Sequence, residues 1–265
     1  MDHDAVLTTF DQEMRRDAGS DGPGVRVERA GGVVRQVGSE HGWNGVLWSD
    51  LDEDTAPEAI AAQVEHFTSL GRTFEWKLYA HDRPPRLAEL LASAGFVAEP
   101  AEALMVAEVQ DLTPEVVLPA GVRLLPVTDA AGVALLADVH EQAFDTDGGR
   151  LRERLLLQLA ETPDTVSAVV ALAGDVPVSA ARMELPPGKR FAGLWGGGTV
   201  EAWRGKGIYR ALIAHRAGIA AARGYPYLQV DASDDSRPIL QRLGFARLST
   251  TTPYVYEPKA RRTGP

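Results

Sequence analysis

Apolar positions along the chain follow two spacings, one typical of helices and one typical of strands. Val6, Phe10 and Met14 lie four residues apart, which predicts a helix over residues 4–16. Glycine, serine and proline at residues 18–24 end that helix, and strand-like and helical segments alternate through the rest of the chain. This alternation predicts a mixed α/β fold.

The same order of elements occurs in both halves of the chain. Each half reads as a strand, a loop, a helix, a second strand and a second helix that ends in Gly-Phe. The predicted elements are 46–48, 57–70, 74–80 and 85–96 in the first half and 193–195, 207–222, 227–232 and 236–245 in the second. A polar stretch with two prolines at 110–121 separates the halves and is typical of a linker. We therefore predict two tandem domains, residues 1–115 and 116–265.

The composition is globular, and its charge narrows the choice of partner. Of the 265 residues, 45% are hydrophobic and 24% are charged, which is enough apolar material for the cores of two domains. The formal net charge of −10 disfavours a nucleic-acid partner, because binding to phosphates needs a basic face. An acidic surface suits a cationic or amine-bearing substrate instead.

Residues that hold metals or form covalent intermediates are scarce. The chain has no cysteine, which removes disulfides, thiolate metal sites and a covalent cysteine intermediate. Its six histidines show no metal-binding spacing, so we predict no metal. The acidic start of the sequence and the lack of a run of roughly 20 apolar residues predict a cytoplasmic protein without a membrane partner.

A basic, glycine-containing turn precedes the helix predicted at 207–222. The stretch WRGKGIYRAL, residues 203–212, combines glycines that allow a sharp turn with a helix N-terminus that attracts anions. It is not a Walker A loop, because Gly207 follows Lys206 where Ser or Thr is needed. It is not a dinucleotide fingerprint either, because Arg210 stands at the position of the third glycine. The stretch predicts a pyrophosphate site of another kind.

This turn and the sequence after it resemble the Gcn5-related N-acetyltransferase (GNAT) superfamily. The family motif is Arg/Gln-x-x-Gly-x-Gly/Ala, followed by a strand, a helix and Gly-Phe; here the stretches are TVEAWRGKGIYRALIAHRAGIAAARG and YLQVDASDDSRPILQRLGF. The likeness covers residues 122–257, and the first half resembles a degenerate second copy. It implies an acyl-CoA N-acyltransferase fold, an α/β mixed sheet in two tandem domains, with acetyl-CoA as co-substrate.

The resemblance also implies which residues hold acetyl-CoA. Thr199 and Val200, at the end of the central strand, would pair with the pantetheine arm through their backbone, and Ser236 would touch the same arm. The pyrophosphate would lie on the turn formed by Arg204, Gly205, Lys206, Gly207, Ile208 and Tyr209. Tyr209 departs from the family pattern, which has Gly or Ala there. The glycine run at 196–198 indicates a bulge or a close approach of the backbone to a ligand, with a flexible loop as the alternative. The resemblance implies that the central strand splays from its neighbour there.

Transfer to an amine further needs a group that polarises the thioester carbonyl and a base. By the same resemblance, a backbone N–H between Trp195 and Gly197 polarises the carbonyl. Glu184 and Asp231 are the candidate bases, and a solvated or structural role is the alternative for each. His140 and His215 are expected to pack or to lie at the surface rather than to catalyse.

The usual proton donor of the family is missing. Many members carry a tyrosine four residues before the glycine of Gly-Phe, and Leu240 stands at that position here. Tyr209, Tyr254, Tyr256 or water would have to protonate the sulfur. Ser236 and its neighbours are alternatively expected only to cap the helix that follows them.

The first half lacks a comparable turn. Its segment SDLDEDTAPE, residues 49–58, has no glycine and several acids, so it would repel a phosphate. We predict a catalytically silent first half whose Trp43, Trp48 and Trp76 line the acceptor cleft or form aromatic core.

The predicted function is an acetyl-CoA-dependent N-acetyltransferase, monomeric or homodimeric, that acts on a small-molecule or peptide amine. One alternative is a non-catalytic GNAT-like protein that senses CoA or contacts a partner. A third reading, an aminoacyl-tRNA-dependent relative, is disfavoured by the acidic charge.

Overall fold

Helices and strands alternate as predicted in residues 1–20, 22–38 and 42–258, which the computed structural model describes. The helices are α1 (His3–Phe10), α2 (Ala56–Ser69), α3 (Leu87–Ser93), α4 (Ala130–Phe144), α5 (Gly149–Glu161), α6 (Ile208–Ala222) and α7 (Arg237–Arg242). The strands are β1 (Arg26–Ala30), β2 (Val33–Val37), β3 (Gly45–Ser49), β4 (Phe74–Tyr79), β5 (Val97–Ala98), β6 (Glu102–Glu108), β7 (Val122–Pro126), β8 (Val166–Ala173), β9 (Val176–Glu184), β10 (Phe191–Thr199), β11 (Tyr227–Ala232) and β12 (Ala246–Tyr256). The predicted α/β fold is confirmed.

The chain divides into two compact units. The first unit comprises Asp2–Leu104 and the chain from Leu248 onward, and the second comprises Met105–Arg247 together with Met1. The last strand of the sequence, β12, therefore completes the unit that the first half of the chain builds. The predicted division between residues 115 and 116 stays a prediction.

In the first unit the strand order is β1-β2-β3-β4-β12, and β5 pairs with β12. The neighbours β3 and β4 are parallel and are joined through α2, whereas β12 runs antiparallel to β4. Phe67 on α2 stacks on Phe74 of β4 with ring centroids 4.3 Å apart. Trp76 is 1% exposed in this core, so it has the structural role that was one of its two predicted roles.

A buried ion pair also holds the first unit together. The helix of α1 continues as a π-helical segment at Asp11–Arg16, which brings the Arg15 side chain into the interior. Its Nη2 donates to both carboxylate oxygens of Asp82, at 2.8 and 2.7 Å, and its Nη1 donates to Asp11 at 2.7 Å. Because the guanidinium is buried, these bonds compensate a charge that would otherwise be costly.

In the second unit the strand order is β6-β11-β10-β9-β8-β7. The central strand β10 is parallel to β11 and antiparallel to β9, and α6 connects it to β11. Alternate residues of β8 face opposite sides of the sheet, as strand geometry requires. Val166, Ala168, Val170 and Leu172 pack with α4 and α5, and Val169 and Ala171 pack with α6. Helices thus cover both faces, and the N-terminus of α6 lies at the end of the central strand.

Candidate functional site

The turn before α6 presents free backbone amides. A short 3-10 turn at Glu201–Trp203 leads to Gly205 and Gly207, whose φ angles of 74° and 85° are in the left-handed region that favours glycine. The first helical bond of α6 runs from the amide of Ala211 to the carbonyl of Gly207, at 3.1 Å. Within the described residues, no amide from Gly205 to Arg210 donates to a protein acceptor. Such a set of N–H groups at a helix N-terminus fits an anion.

The two cations of the turn have different surroundings. Arg204 donates from Nε to the carbonyl of Thr199 at 3.1 Å and from Nη2 to the carbonyl of Ala143 at 3.2 Å. It therefore ties the turn to the ends of β10 and α4. The ammonium of Lys206 lies 4.3 Å from the ring centroid of Trp203 and is exposed. Arg204 orients the turn, and Lys206 supplies an exposed positive charge beside it.

The central strand β10 separates from β11 after a short paired stretch. The two strands pair only from Phe191 to Gly193. On its other side, β10 changes register with β9 between Trp195 and Gly198, and Gly196 has a φ of 56°. The bulge and the splay predicted for the glycine run are therefore confirmed. They leave the part of β10 after Gly193 without a β11 partner, which fits an extended ligand lying along the strand.

The backbone of Thr199 and Val200 is partly engaged by the protein. The amide of Val200 donates to the carbonyl of Val178 at 3.0 Å, and its carbonyl accepts from Trp203 at 2.9 Å. The carbonyl of Thr199 accepts from Arg204. Each of these carbonyls keeps one lone pair for a ligand, whereas the Val200 amide does not remain available.

Close contacts on both faces of the sheet explain the glycine run. A Cβ on Gly197 would lie 2.9 Å from Cε2 of Tyr209 and 3.6 Å from Nη2 of Arg216. A Cβ on Gly198 would lie 2.8 Å from Cε2 of Phe144 on α4. Tyr209 therefore packs its ring under β10, while its amide lies in the turn with the others. This arrangement shows how the bulky residue is accommodated where the family motif has a small one.

Arg216 is the most unusual side chain near the bulge and is not among the residues predicted from the sequence. It is 1% exposed, and burial lowers its pKa to about 10. Its Nε donates to the carbonyl of Leu212 and its Nη1 to the carbonyl of Arg182, both at 3.1 Å. No carboxylate in the described part of the chain pairs with it. A sequence signal exists, since an arginine follows Ile208 and Leu212 at the four-residue spacing of the apolar face of α6.

The two candidate bases lie on the strands that flank β10. Glu184 pairs in register with Gly193, which in turn pairs with Gln229, so Glu184, Gln229 and Asp231 share one face of the sheet. Oε1 of Glu184 accepts from Nη2 of Arg154 at 3.0 Å and from Nη1 of Arg182 at 3.2 Å. The other carboxylate oxygen of Glu184, Oε2, has no protein partner among the described residues, so it is the oxygen that could take a proton.

No hydroxyl stands at position 240, where many members of the family have a tyrosine. Leu240 is completely buried. Ser236 begins α7, makes no side-chain capping bond, and has its Oγ 3.3 Å from Oγ of Ser233. Tyr254 and Tyr256 pack against the core of the first unit. Burial raises the pKa of Tyr209 above its usual value of 10.0 and makes its hydroxyl a weaker acid.

His140 and His215 are both half-buried. The ring of His140 packs 4.9 Å from that of Phe144, as predicted for a packing role. Burial is the main cause that lowers the pKa of His140 and of His215 below 6.5. Both side chains are therefore neutral at pH 7.

The corresponding loop of the first unit contains its own anion. Oδ1 of Asp52 accepts from the amides of Asp54 and Thr55, at 3.1 and 2.8 Å, and from the Thr55 hydroxyl at 2.7 Å. These bonds occupy the amides that precede α2. A groove of about 680 Å³ also lies in this unit, between α2 and α3; of the residues predicted for the site, Tyr256, one of the alternative proton donors, lines it.

In residues 1–20, 22–38 and 42–258, no group of three or more His, Asp or Glu side chains is placed to hold a metal ion. His41, one of the six histidines, lies outside the described residues. Among the helices that the structure describes, none combines the length and the apolar character that crossing a membrane requires.

Comparisons with known proteins agree with this geometry. Residues 133–245 match the family model described as "Acetyltransferase (GNAT) family". A GCN5-related N-acetyltransferase from Kribbella flavida is 20% identical with a TM-score of 0.70, over 98% of this chain and 95% of that one. A "Tandem GNAT protein from the clavulanic acid biosynthesis pathway (without AcCoA)" is 13% identical with a TM-score of 0.63, over 91% and 85%.

A GCN5-related N-acetyltransferase from Sphaerobacter thermophilus is 14% identical with a TM-score of 0.63, over 97% of this chain and 85% of that one. No curated protein sequence matches. The structural likeness over nearly the whole chain shows the fold, and the matched segment contains the turn, the bulge and both candidate bases. Residues 133–245 are thus similar to the GNAT acetyltransferase family, and the chain has the fold of solved GNAT structures, one of which is described as a tandem protein.

Proposed function

We propose that the second unit binds acetyl-CoA on the turn before α6 and transfers the acetyl group directly to a primary amine. The observation that carries this proposal is the row of free amides from Gly205 to Arg210, which is built on two glycines with positive φ. Phosphate oxygens accept from such amides, and the helix dipole adds to the attraction. The unpaired edge of β10 after Gly193 supports an extended pantetheine arm beside it.

In the proposed reaction, the amine nitrogen bonds to the thioester carbon, and the bond from that carbon to sulfur breaks. The nitrogen loses a proton, and the sulfur leaves as a thiolate that takes one up. A free amine is mostly protonated at neutral pH, so Oε2 of Glu184 or the Asp231 carboxylate serves as the base, directly or through water. A thiol has a pKa of about 8.5, so the thiolate leaves without the family tyrosine, and water protonates it.

Charge supports an amine as the acceptor. The chain carries a formal net charge of −10, which attracts cationic substrates in general. We infer a small-molecule or peptide amine as the acceptor, a monomeric or homodimeric protein and a cytoplasmic location. The inference of domains at 1–115 and 116–265 rests on the sequence repeat.

The cofactor site is tested with Gly207→Asp and Gly207→Asn. Both variants place a side chain on the same positive-φ position, and only the aspartate adds a negative charge beside the amides. At about 5 Å and an effective dielectric constant of about 20, repulsion between one carboxylate and one phosphate charge costs about 3 kcal/mol, which weakens binding on the order of 100-fold. Titration calorimetry with acetyl-CoA should therefore show a much larger loss for Asp than for Asn. Equal affinity of Gly207→Asp and the original protein would mean that the site assignment is wrong.

Catalysis is tested separately by release of CoA from acetyl-CoA over a panel of amines. Turnover on at least one amine supports the transferase. Tight binding of acetyl-CoA with no turnover on any amine supports the alternative of a non-catalytic CoA-binding protein, which the absence of a hydroxyl at Leu240 favours. An aminoacyl-tRNA-dependent activity would require tRNA binding at low salt.

A further inference from the structure

A buried positive charge without a carboxylate lies beside the bulge of β10. Burying an unpaired charge costs several kcal/mol, and buried charges in proteins are normally paired. Arg216 is 1% exposed, and its acceptors among the described residues are two backbone carbonyls, those of Leu212 and Arg182. Its pKa of about 10 keeps the guanidinium protonated at neutral pH. The charge therefore lacks a partner in the described residues and would be stabilised by a negative one.

The bulge fixes the orientation of this guanidinium. Arg182 pairs with Trp195 at the last regular position before the register shift of β9 and β10. The carbonyl of Arg182 accepts from Nη1 of Arg216, and the carbonyl of Leu212 accepts from Nε. Because Nε and Nη1 both donate hydrogen bonds, the guanidinium plane cannot rotate freely, and the direction of Nη2 is therefore fixed.

The remaining nitrogen, Nη2, lies at the splayed part of β10. It is 3.6 Å from the position that a Cβ on Gly197 would occupy, and it has no acceptor among the described residues. Gly197 belongs to the segment that has separated from β11, along which the proposed pantetheine arm would lie. Gly197 places no side chain of its own between Nη2 and the strand, and the ring of Tyr209 packs beside this position.

We propose that Nη2 of Arg216 donates a hydrogen bond to the carbonyl oxygen of the acyl thioester and stabilises the negative charge that develops on it. This inference rests on the proposed function and adds a catalytic residue to it. As the amine attacks carbon, the carbonyl π electrons move to oxygen; as the carbon–sulfur bond breaks, they return and the electron pair of that bond leaves with sulfur. A preorganised charge away from water favours this oxygen more strongly than a backbone amide alone, and loss of one such donor typically lowers kcat by about 10²–10³-fold.

The test is isotope-edited infrared spectroscopy of bound acetyl-CoA with ¹³C at the thioester carbonyl, without any amine. A hydrogen bond from a guanidinium weakens the carbonyl bond, so the band of the original protein should lie at a lower frequency than that of free acetyl-CoA. In Arg216→Met most of this shift should disappear. The affinity for CoA, which has no thioester carbonyl, should stay unchanged. Arg216→Lys keeps the charge but lacks the planar fork, and it should retain only part of the shift.

Arg223→Met is the matched control, because Arg223 caps the C-terminus of the same helix, is exposed, and its side chain donates to the carbonyl of Asp164. Its band should equal that of the original protein. The inference is overturned if the band shifts equally in the original protein and in Arg216→Met. If the methionine variant does not fold, Arg216→Lys takes its place in this comparison. Arg216 would then only support the bulge. Failure of the original protein to bind either acetyl-CoA or CoA would overturn the proposed function as well.

Discussion

The contact between Gly197 and Tyr209 can be tested by adding one methyl group. In Gly197→Ala the new Cβ would lie 2.9 Å from Cε2 of Tyr209, closer than carbon atoms approach in folded proteins. The backbone of Gly197 is not in the positive-φ region, so alanine brings no backbone strain and the clash is isolated. Overpacking of this kind costs about 1–3 kcal/mol. We expect a loss of stability in that range.

The assay is equilibrium unfolding in urea, with a double-mutant cycle. In a Tyr209→Ala background the ring is gone, and Gly197→Ala should cost less than about 0.5 kcal/mol, which is the size of a neutral surface change. Gly218→Ala is the control: no atom lies within 4 Å of its Cβ position, and it is inside α6. Alanine in a helix interior is better than glycine by about 0.5–1 kcal/mol, so this control should be stabilised. Equal costs of Gly197→Ala in both backgrounds would refute the explanation of the glycine by Tyr209.

Two further predictions concern the two units separately. In the first unit, Asp82→Ala leaves the guanidinium of Arg15 buried without its bidentate partner, so the free energy of unfolding should fall by about 3–5 kcal/mol. Urea unfolding measures this loss, and Asp52→Ala, which removes an exposed acid, should cost less. In the second unit, His215 has a folded pKa below 6.5, so the unfolded chain binds more protons and stability should fall as the pH drops below about 6.5. Thermal unfolding from pH 7.5 to 5 should show a weaker dependence in His215→Gln, and identical slopes would contradict the burial argument.

Local patterns were sufficient to predict the elements of the fold. The helix predicted at 207–222 is found as α6 at Ile208–Ala222, and the strand at 227–232 is found as β11. Periodicity and turn residues act over short distances, so they can be read from a single sequence. The strand that completes the first unit could not be recognised in this way. β12 reads as an ordinary strand, and which unit it joins depends on pairing with residues far away in the sequence.

The candidate site was predictable in its backbone but not in its side-chain pairings. Glycines with positive φ at 205 and 207 follow from the motif, because few other residues accept that conformation. The contact of Glu184 with Arg154 and the burial of Arg216 do not, since Arg154 lies 30 residues away in the sequence and reaches Glu184 through tertiary packing. A charged residue on the apolar face of a helix is a weak sequence signal until the structure shows that no carboxylate accompanies it.

The two loops that precede α2 and α6 show how two similar units can differ in ligand binding. Both follow a strand and lead into a helix whose first amides need acceptors. In the first unit Asp52 accepts from the amides of Asp54 and Thr55, which directly precede α2, at 3.1 and 2.8 Å. A phosphate would have to displace a carboxylate that is tethered to the site and so has a high effective concentration, and it would meet the repulsion of the neighbouring acids. In the second unit the turn from Arg204 to Gly207 contains no acid, so its amides stay available to an external anion. Within the described residues, a carboxylate engages loop amides before α2 and none engages those before α6, which is one structural difference between the two loops.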